Sequence, residues 1–200
     1  MAATSPIASR LPGVAISPDE SIDTTSSFLA SVDAWDDRVD EWFDQLRGTP
    51  AFDRLFYAAS ELADHSRLWH LIATGRAAMS LRAEPAALRV VLALAVESGL
   101  VNGVVKSLFN RSRPIITEER PLRLRIPRTS SFPSGHASAA AMAAILLADK
   151  STLGPAYGAA AAIVSLSRIH VRIHHASDIA GGLAVGSALA AVVKKVAPLG

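Results

Sequence analysis

The sequence predicts an all-α chain, a bundle of about six helices with the character of a polytopic membrane protein. Three observations predict it. Apolar residues recur at three- and four-residue spacing in several segments, and no segment sustains the period-two alternation of a strand. Half of the 200 residues are hydrophobic and only 19% are charged, which is more apolar than a typical soluble domain of this length. The helical runs are separated by Gly- and Pro-containing breaks. This length allows one domain with one core, so a single catalytic unit is expected.

Residues 1–27 are rich in Ser, Thr, Pro and Ala and are expected to form a disordered tail. Residues 28–200 are expected to form the working domain. Its first element, over 28–47, is an amphipathic helix whose stripe comprises Phe28, Val32, Trp35, Val39, Trp42, Phe43 and Leu46. The opposite face carries Asp33, Asp36, Asp37, Asp40, Glu41 and Asp44, read as a solvated acidic face rather than a metal cluster. A second helix is expected from Phe52 to about Thr74 and a third from Pro85 to about Leu108. A fourth follows from Ser134 to Ala148, a fifth from Pro155 to about Arg168 and a sixth from Ser177 to Val193. Gly48-Thr49-Pro50 ends the first helix, Pro85 suits a first helical position, and Gly154-Pro155 marks a turn.

A spanning helix needs roughly twenty predominantly apolar residues, and the second and third helices carry charges. Charges inside apolar helices are expected where they face a bundle interior or a polar cavity. The last helix is rich in Gly and Ala and ends in Lys194-Lys195, as small-residue packing in a membrane bundle would produce. A tightly packed soluble bundle would produce it too, and composition tilts the reading toward the membrane. Basic residues fall on both sides of the spans, so the positive-inside rule does not choose an orientation. The N-terminus lacks a basic region followed by an apolar stretch, and no cleavable signal peptide is expected. With no cysteine, thiol chemistry and disulfides are excluded. A net charge of +2 without a dense basic run argues against a nucleic-acid partner.

Three segments concentrate basic and titratable residues in apolar surroundings. In the segment Lys106 to Pro114, Lys106 and Arg113 offer fixed positive charge. In Pro133-Ser134-Gly135-His136, Ser134 is placed to cap a helix whose free N–H groups form an anion site. Gly135 lets an anion approach the backbone, and His136 sits in the first turn, where it can donate a proton to a departing oxygen. In the third segment, Arg168 precedes His174 by six residues and Asp178 follows it by four. On a helix, Asp178 would reach one imidazole nitrogen of His174, fix the tautomer and leave the other nitrogen as a nucleophile. Arg168 would share that pocket if the helix breaks before His174. A competing reading places His170, His174 and Asp178 on one helical face as metal ligands. It accounts for neither of the other segments. Phosphoryl transfer without a metal needs cations around the equatorial oxygens, and Lys106, Arg113 and Arg168 would supply them.

These segments resemble the signature of the type 2 phosphatidic acid phosphatase family: Lys, six residues, Arg-Pro; then Pro-Ser-Gly-His; then Ser-Arg, five residues, His, three residues, Asp. All eleven specified residues are present, between Lys106 and Asp178. The resemblance implies an enzyme that needs no metal or other cofactor. It also implies a phosphorylated lipid substrate and a bilayer as partners, and a multi-pass location in a bacterial cell membrane. It implies His174 as nucleophile forming a phosphohistidine, Asp178 as its orienting partner, and His136 as acid and then base. Lys106, Arg113, Ser134, Gly135 and Arg168 would bind phosphate. The residue after the nucleophile is commonly aromatic in this family, and here it is His175, which could bind substrate. The family is similar to vanadium haloperoxidases and soluble acid phosphatases, so a soluble or peripheral phosphomonoesterase is the alternative. The stretch Phe56 to His70 resembles small actinobacterial members linked to decaprenylphosphoryl phosphoribose dephosphorylation in arabinogalactan synthesis. Polyprenyl diphosphate, phosphatidate and phosphatidylglycerophosphate are the other substrates the pocket would admit.

Overall fold

The computed structural model describes residues 18–79, 84–115, 124 and 126–199. Among them are seven α-helices and no strand: α1 Pro18–Asp44, α2 Pro50–Leu62, α3 Arg67–Met79, α4 Glu84–Gly99, α5 Gly135–Ala148, α6 Gly154–His170 and α7 Ala176–Val196. The expectation of disorder over residues 1–17 lies outside the described residues. Helix α1 already begins at Pro18, ahead of the expected start at Phe28. Two compact units divide the chain, Met1–Ala34 and Trp35–Gly200. In the first, Ser31 Oγ donates to the Ser27 carbonyl at 2.9 Å, an ordinary back-bond along the helix. The second holds every feature discussed below.

The fold is organised around α5, which is apolar on all sides. From Ala137 to Ala144 every residue is buried, as are Leu146 and Leu147. A helix with no polar face must be surrounded, and α4, α6 and α7 pack on it. The main core joins Trp69 of α3, Leu94 of α4, Met142 and Leu146 of α5, and Val164 of α6. Two glycines set the distance between α5 and α7. A Cβ on Gly182 would lie 2.4 Å from the Ser134 carbonyl oxygen, and one on Gly186 would lie 2.1 Å from that of Ser138. Only hydrogen fits at those positions, so the two backbones touch.

Two expected elements differ. The helix expected from Phe52 to Thr74 is broken into α2 and α3 by a single tight turn, Asp64–Ser66, in which His65 and Ser66 have φ of 54° and 58°. Neither is glycine, and no proline marks the break. Arg67 holds it: its side chain donates to the carbonyls of Glu61, in the last turn of α2, at 3.0 Å and of Asp64, in the turn itself, at 3.1 Å. The third expected helix does continue past Gly99, but as a wider π turn over Leu100–Val104 and a tighter 3-10 turn over Val105–Leu108. The acidic face of α1 is also not uniformly solvated. Asp36 is buried, whereas Asp40 and Asp44 pair with Arg47 and Arg172 at the surface.

Candidate active site

Three chain segments meet at one end of the bundle because α4 runs toward it while α5 and α7 start from it. At the start of α5, Ser134 is the N-cap and its hydroxyl accepts from the Ala137 N–H at 3.4 Å. The Ser134 N–H donates to the Asp178 carbonyl at 3.0 Å, tying the start of α5 to the first turn of α7. Gly135 faces Asn102, with room for a Cβ only 3.0 Å from Asn102 Oδ1. His136 follows, and its Nε2 lies 2.9 Å from Asp64 Oδ1 in the turn after α2.

Helix α6 stops at His170, and the chain turns back before α7. The N–H groups of Ile173 and His174 both donate to the Arg168 carbonyl, at 3.0 and 3.1 Å. Arg47 fastens the same corner through the carbonyls of Ile169 and His170, each at 2.9 Å. This is the break that brings Arg168 and His174 together. It also separates His170 from the proposed metal-ligand face: His170 Nε2 turns to Asp53 Oδ1 at 2.8 Å, and His170, His174 and Asp178 do not share one helix.

His174 is buried between two partners. Its Nδ1 lies 3.4 Å from Asp178 Oδ2, and its Nε2 lies 3.3 Å from a guanidinium nitrogen of Arg113. Asp178, at the third position of α7, also accepts from the His175 N–H at 2.9 Å and from Arg111 at 2.8 Å. Arg113 is fixed by the carbonyls of Pro127, Thr129, Ser130 and Ile173. Arg168 is buried and bonds the Ser60 hydroxyl of α2. Lys106 is buried at the end of the α4 extension.

The structure thus brings Lys106, Gly135, His136 and His174 onto one cavity of about 300 Å³, together with Asp64, Glu97 and Asn102. Arg113 and His175 line a second cavity of about 330 Å³, which reaches His174 from its other side beside Asp36 and Asp40. Ser134, Arg168 and Asp178 stand behind these walls. Such an enclosure can hold a tetrahedral oxyanion, because a helix N-terminus and several fixed cations converge where two imidazoles also point.

Burial pushes the His174 ring down to about 3, with Arg168 and Arg113 adding to the effect and the bond to Asp178 opposing it. The ring is therefore neutral near pH 7, the form that keeps a lone pair on one ring nitrogen. Burial alone would raise Asp64, but the hydrogen bond with His136 and the charge of Arg168 outweigh it and hold the carboxyl below its ordinary range. Burial would likewise lower Arg111, yet its bonds to Asp36 and Asp178 raise it.

Sequence reasoning passed over four residues that shape this site. Arg111 bridges Asp178 at 2.8 Å and Asp36 at 2.6 Å, and Asp36 in turn accepts from the Ser177 N–H at 2.7 Å. Asp64 and Arg47 complete the set. Arg111 lay inside a segment already singled out, five residues after Lys106. Asp36 was camouflaged by the five other acids of the expected acidic face.

Comparison with known proteins gives a consistent result. The model of the PAP2 superfamily matches residues 86–199. The chain is 31% identical over 140 residues to the decaprenylphosphoryl-5-phosphoribose phosphatase of Mycolicibacterium smegmatis, covering 68% of this chain and 74% of that one. It is 33% identical over 96 residues to the Mycobacterium tuberculosis protein of the same name, covering 46% of this chain. The chain spans about half the length of the M. tuberculosis relatives it matches. Among solved structures, the transmembrane PAP2 type phosphatidylglycerolphosphate phosphatase of Bacillus subtilis superposes with a TM-score of 0.62 at 23% identity, covering 83% of this chain and 86% of that one. Aquifex aeolicus LpxE gives 0.53 at 23% identity, covering 78% and 93%. The two structures share its fold, and this chain belongs to the PAP2 superfamily.

Proposed function

We propose that this chain is a membrane-embedded lipid phosphatase that removes phosphate from a polyprenyl-type phospholipid through a phosphohistidine on His174, with residues 85–195 as its catalytic core. The observation that carries the reading is the setting of His174, a buried ring held between the Asp178 carboxylate and the Arg113 guanidinium beside a cavity that Lys106 also lines. Phosphate oxygens bound by Arg113, Lys106, Arg168 and the N–H groups at Gly135 and His136 would present phosphorus to Nε2. As the Nε2–phosphorus bond forms, the bond to the ester oxygen breaks and that oxygen takes a proton from His136. His136 then removes a proton from water, whose oxygen attacks phosphorus and releases phosphate and free His174. Asp178 stabilises the cationic ring in between.

Membrane residence is favoured by two helices long and apolar enough to span, Glu84–Leu108 and Ala176–Val196. Neither contains His136, His174 or Asp64. Along the first span, Leu88, Leu92, Val96, Leu100, Val104 and Leu108 recur every four residues, each at least 36% exposed, as a lipid-facing row would be. Lys106 and Asp178 lie at the same end of the two spans, which would put the site near one membrane surface. The names of the mycobacterial relatives favour a 5-phosphoribose headgroup on a decaprenyl lipid.

The test is phosphate release by the purified full chain in detergent with EDTA. The substrates are a polyprenyl phosphoribose, a polyprenyl diphosphate, phosphatidate, phosphatidylglycerophosphate and a soluble monoester. Lipid-selective release that survives EDTA and drops by about 10³-fold or more in His174→Ala is expected. Preference for the soluble monoester would move the enzyme off the membrane, and loss with EDTA would favour a metal route.

A further inference from the structure

Asp64 belongs to no segment that carries the signature, yet it touches His136. The turn that presents it is costly. His65 and Ser66 both occupy the left-handed region, with φ of 54° and 58°, and for side chains other than glycine that costs about 1–2 kcal/mol each. A continuous helix over Phe52 to Thr74 would have avoided the cost. Strained backbone of this kind is kept where the surroundings require it, and here Arg67 braces the turn through two carbonyls. What the turn achieves is to set the Asp64 carboxylate on the cavity wall, 2.9 Å from His136 Nε2.

We propose that Asp64 is the positioning residue of the acid–base histidine, accepting a hydrogen bond from His136 Nε2 so that Nδ1 is the nitrogen that passes the proton to the leaving oxygen. The inference rests on the reading of His136 as the acid. In its terms the site holds two carboxylate–imidazole pairs with opposite nitrogens committed. Asp178 takes Nδ1 of His174 and frees Nε2 for attack, while Asp64 takes Nε2 of His136 and frees Nδ1 for proton transfer. The need for such a partner follows from the charges around the ring. Burial, and after it Arg168 and Lys106, disfavour an imidazolium at His136 and push the ring down to about 4, while Asp64 is the anion that opposes them; Glu97 and His174 line the same cavity. When His136 carries the proton destined for the leaving oxygen, Asp64 stabilises that cation and fixes the ring plane. When His136 later takes a proton from water, the same bond holds the tautomer that has a lone pair on Nδ1.

A general acid matters in proportion to how badly the leaving group needs a proton. The test therefore compares kcat/KM for an alkyl phosphate, whose alkoxide leaves poorly, with that for p-nitrophenyl phosphate, whose anion leaves unaided. The variants Asp64→Asn, Asp64→Glu, His136→Ala and the Asp64→Asn/His136→Ala double are purified as full chains in detergent. Asp64→Asn is expected to lose about 100-fold on the alkyl phosphate and less than about 3-fold on the aryl one, within the range general acids contribute. The alkaline limb of its pH–rate profile moves to lower pH, because the imidazolium has lost its anionic partner. Asp64→Glu recovers part of the loss, and the double variant is no worse than His136→Ala. If His136→Ala shows the leaving-group dependence but Asp64→Asn loses both substrates equally with an unmoved pH profile, Asp64 merely holds the turn and the proposal is wrong. If His136→Ala itself shows no leaving-group dependence, the acid reading fails and the proposal falls with it.

Discussion

His174 sits at the centre of a set of opposed charges, in a burial that keeps its ring neutral. Its folded value of about 3 lies far below the ordinary 6.5, chiefly through burial. Between those values the unfolded chain binds a proton that the native ring refuses, so stability falls as pH drops from about 6.5 toward 3 and is fully present above 6.5. The thermal midpoint in detergent is expected to fall between pH 7 and pH 4.5, and to fall less steeply in His174→Gln. Equal slopes would mean that the ring is charged in the native state. At this scale the sequence was legible where spacing is short, since Arg168, His174 and Asp178 fall within eleven residues of one another and the eleven signature residues are read directly. Asp36 was not, because its partners Arg111 and Ser177 lie 75 and 141 residues away and nothing local separates it from the acids around it. The geometry gives Arg111 a defined part, holding Asp178 from the side opposite His174.

Helices α5 and α7 carry between them the cap, His136 and Asp178, and their contact sets the distance between these groups. Gly186 is the tightest point, with space for a Cβ only 2.1 Å from the Ser138 carbonyl oxygen, a backbone atom that cannot yield. Gly186→Val is expected to force the helices apart and to cost about 1–3 kcal/mol or more in stability, together with most of the activity. Gly158, in α6, has nothing within 4 Å of a Cβ, and Gly158→Ala is expected to be neutral or stabilising by up to about 1 kcal/mol. Thermal unfolding of the two variants beside the parent checks both, and equal midpoints would show that the α5–α7 contact is slack. The small-residue pattern of α7 was readable in the sequence, and the starts of α5, α6 and α7 each fall within one residue of the expected positions. The break between α2 and α3 was not, because its left-handed residues are a histidine and a serine and no glycine or proline marks it.

Across the Trp35–Gly200 unit the two ends of the bundle differ in chemistry. At the end away from the site, Arg89 of α4 bonds Asp149 at 2.8 Å and the carbonyls of Leu146 and Ala197, each at 3.2 Å, closing the helix termini with one paired cation. At the site end, Lys106, Arg113 and Arg168 gather around a cavity with two imidazoles, cations placed to meet an anion beside the carboxylates of Asp64 and Glu97. The apolar row of α4 and the small-residue face of α7 fit a bundle that meets lipid on one side and itself on the other. Two cavities reach His174, one lined by His136 and the other by Arg113 and His175. The central claim is that this ring becomes covalently phosphorylated. Rapid quenching of the full chain in alkali, soon after mixing with substrate carrying radiolabelled phosphate, tests it most directly, since phosphohistidine survives alkali and is lost in acid. The account predicts an alkali-stable, acid-labile label on His174 that is absent from His174→Ala and that, with an aryl phosphate whose anion leaves unaided, accumulates in His136→Ala. Label on any other residue, or turnover by the parent enzyme with no labelled protein at any time and a single inversion at phosphorus, would contradict it.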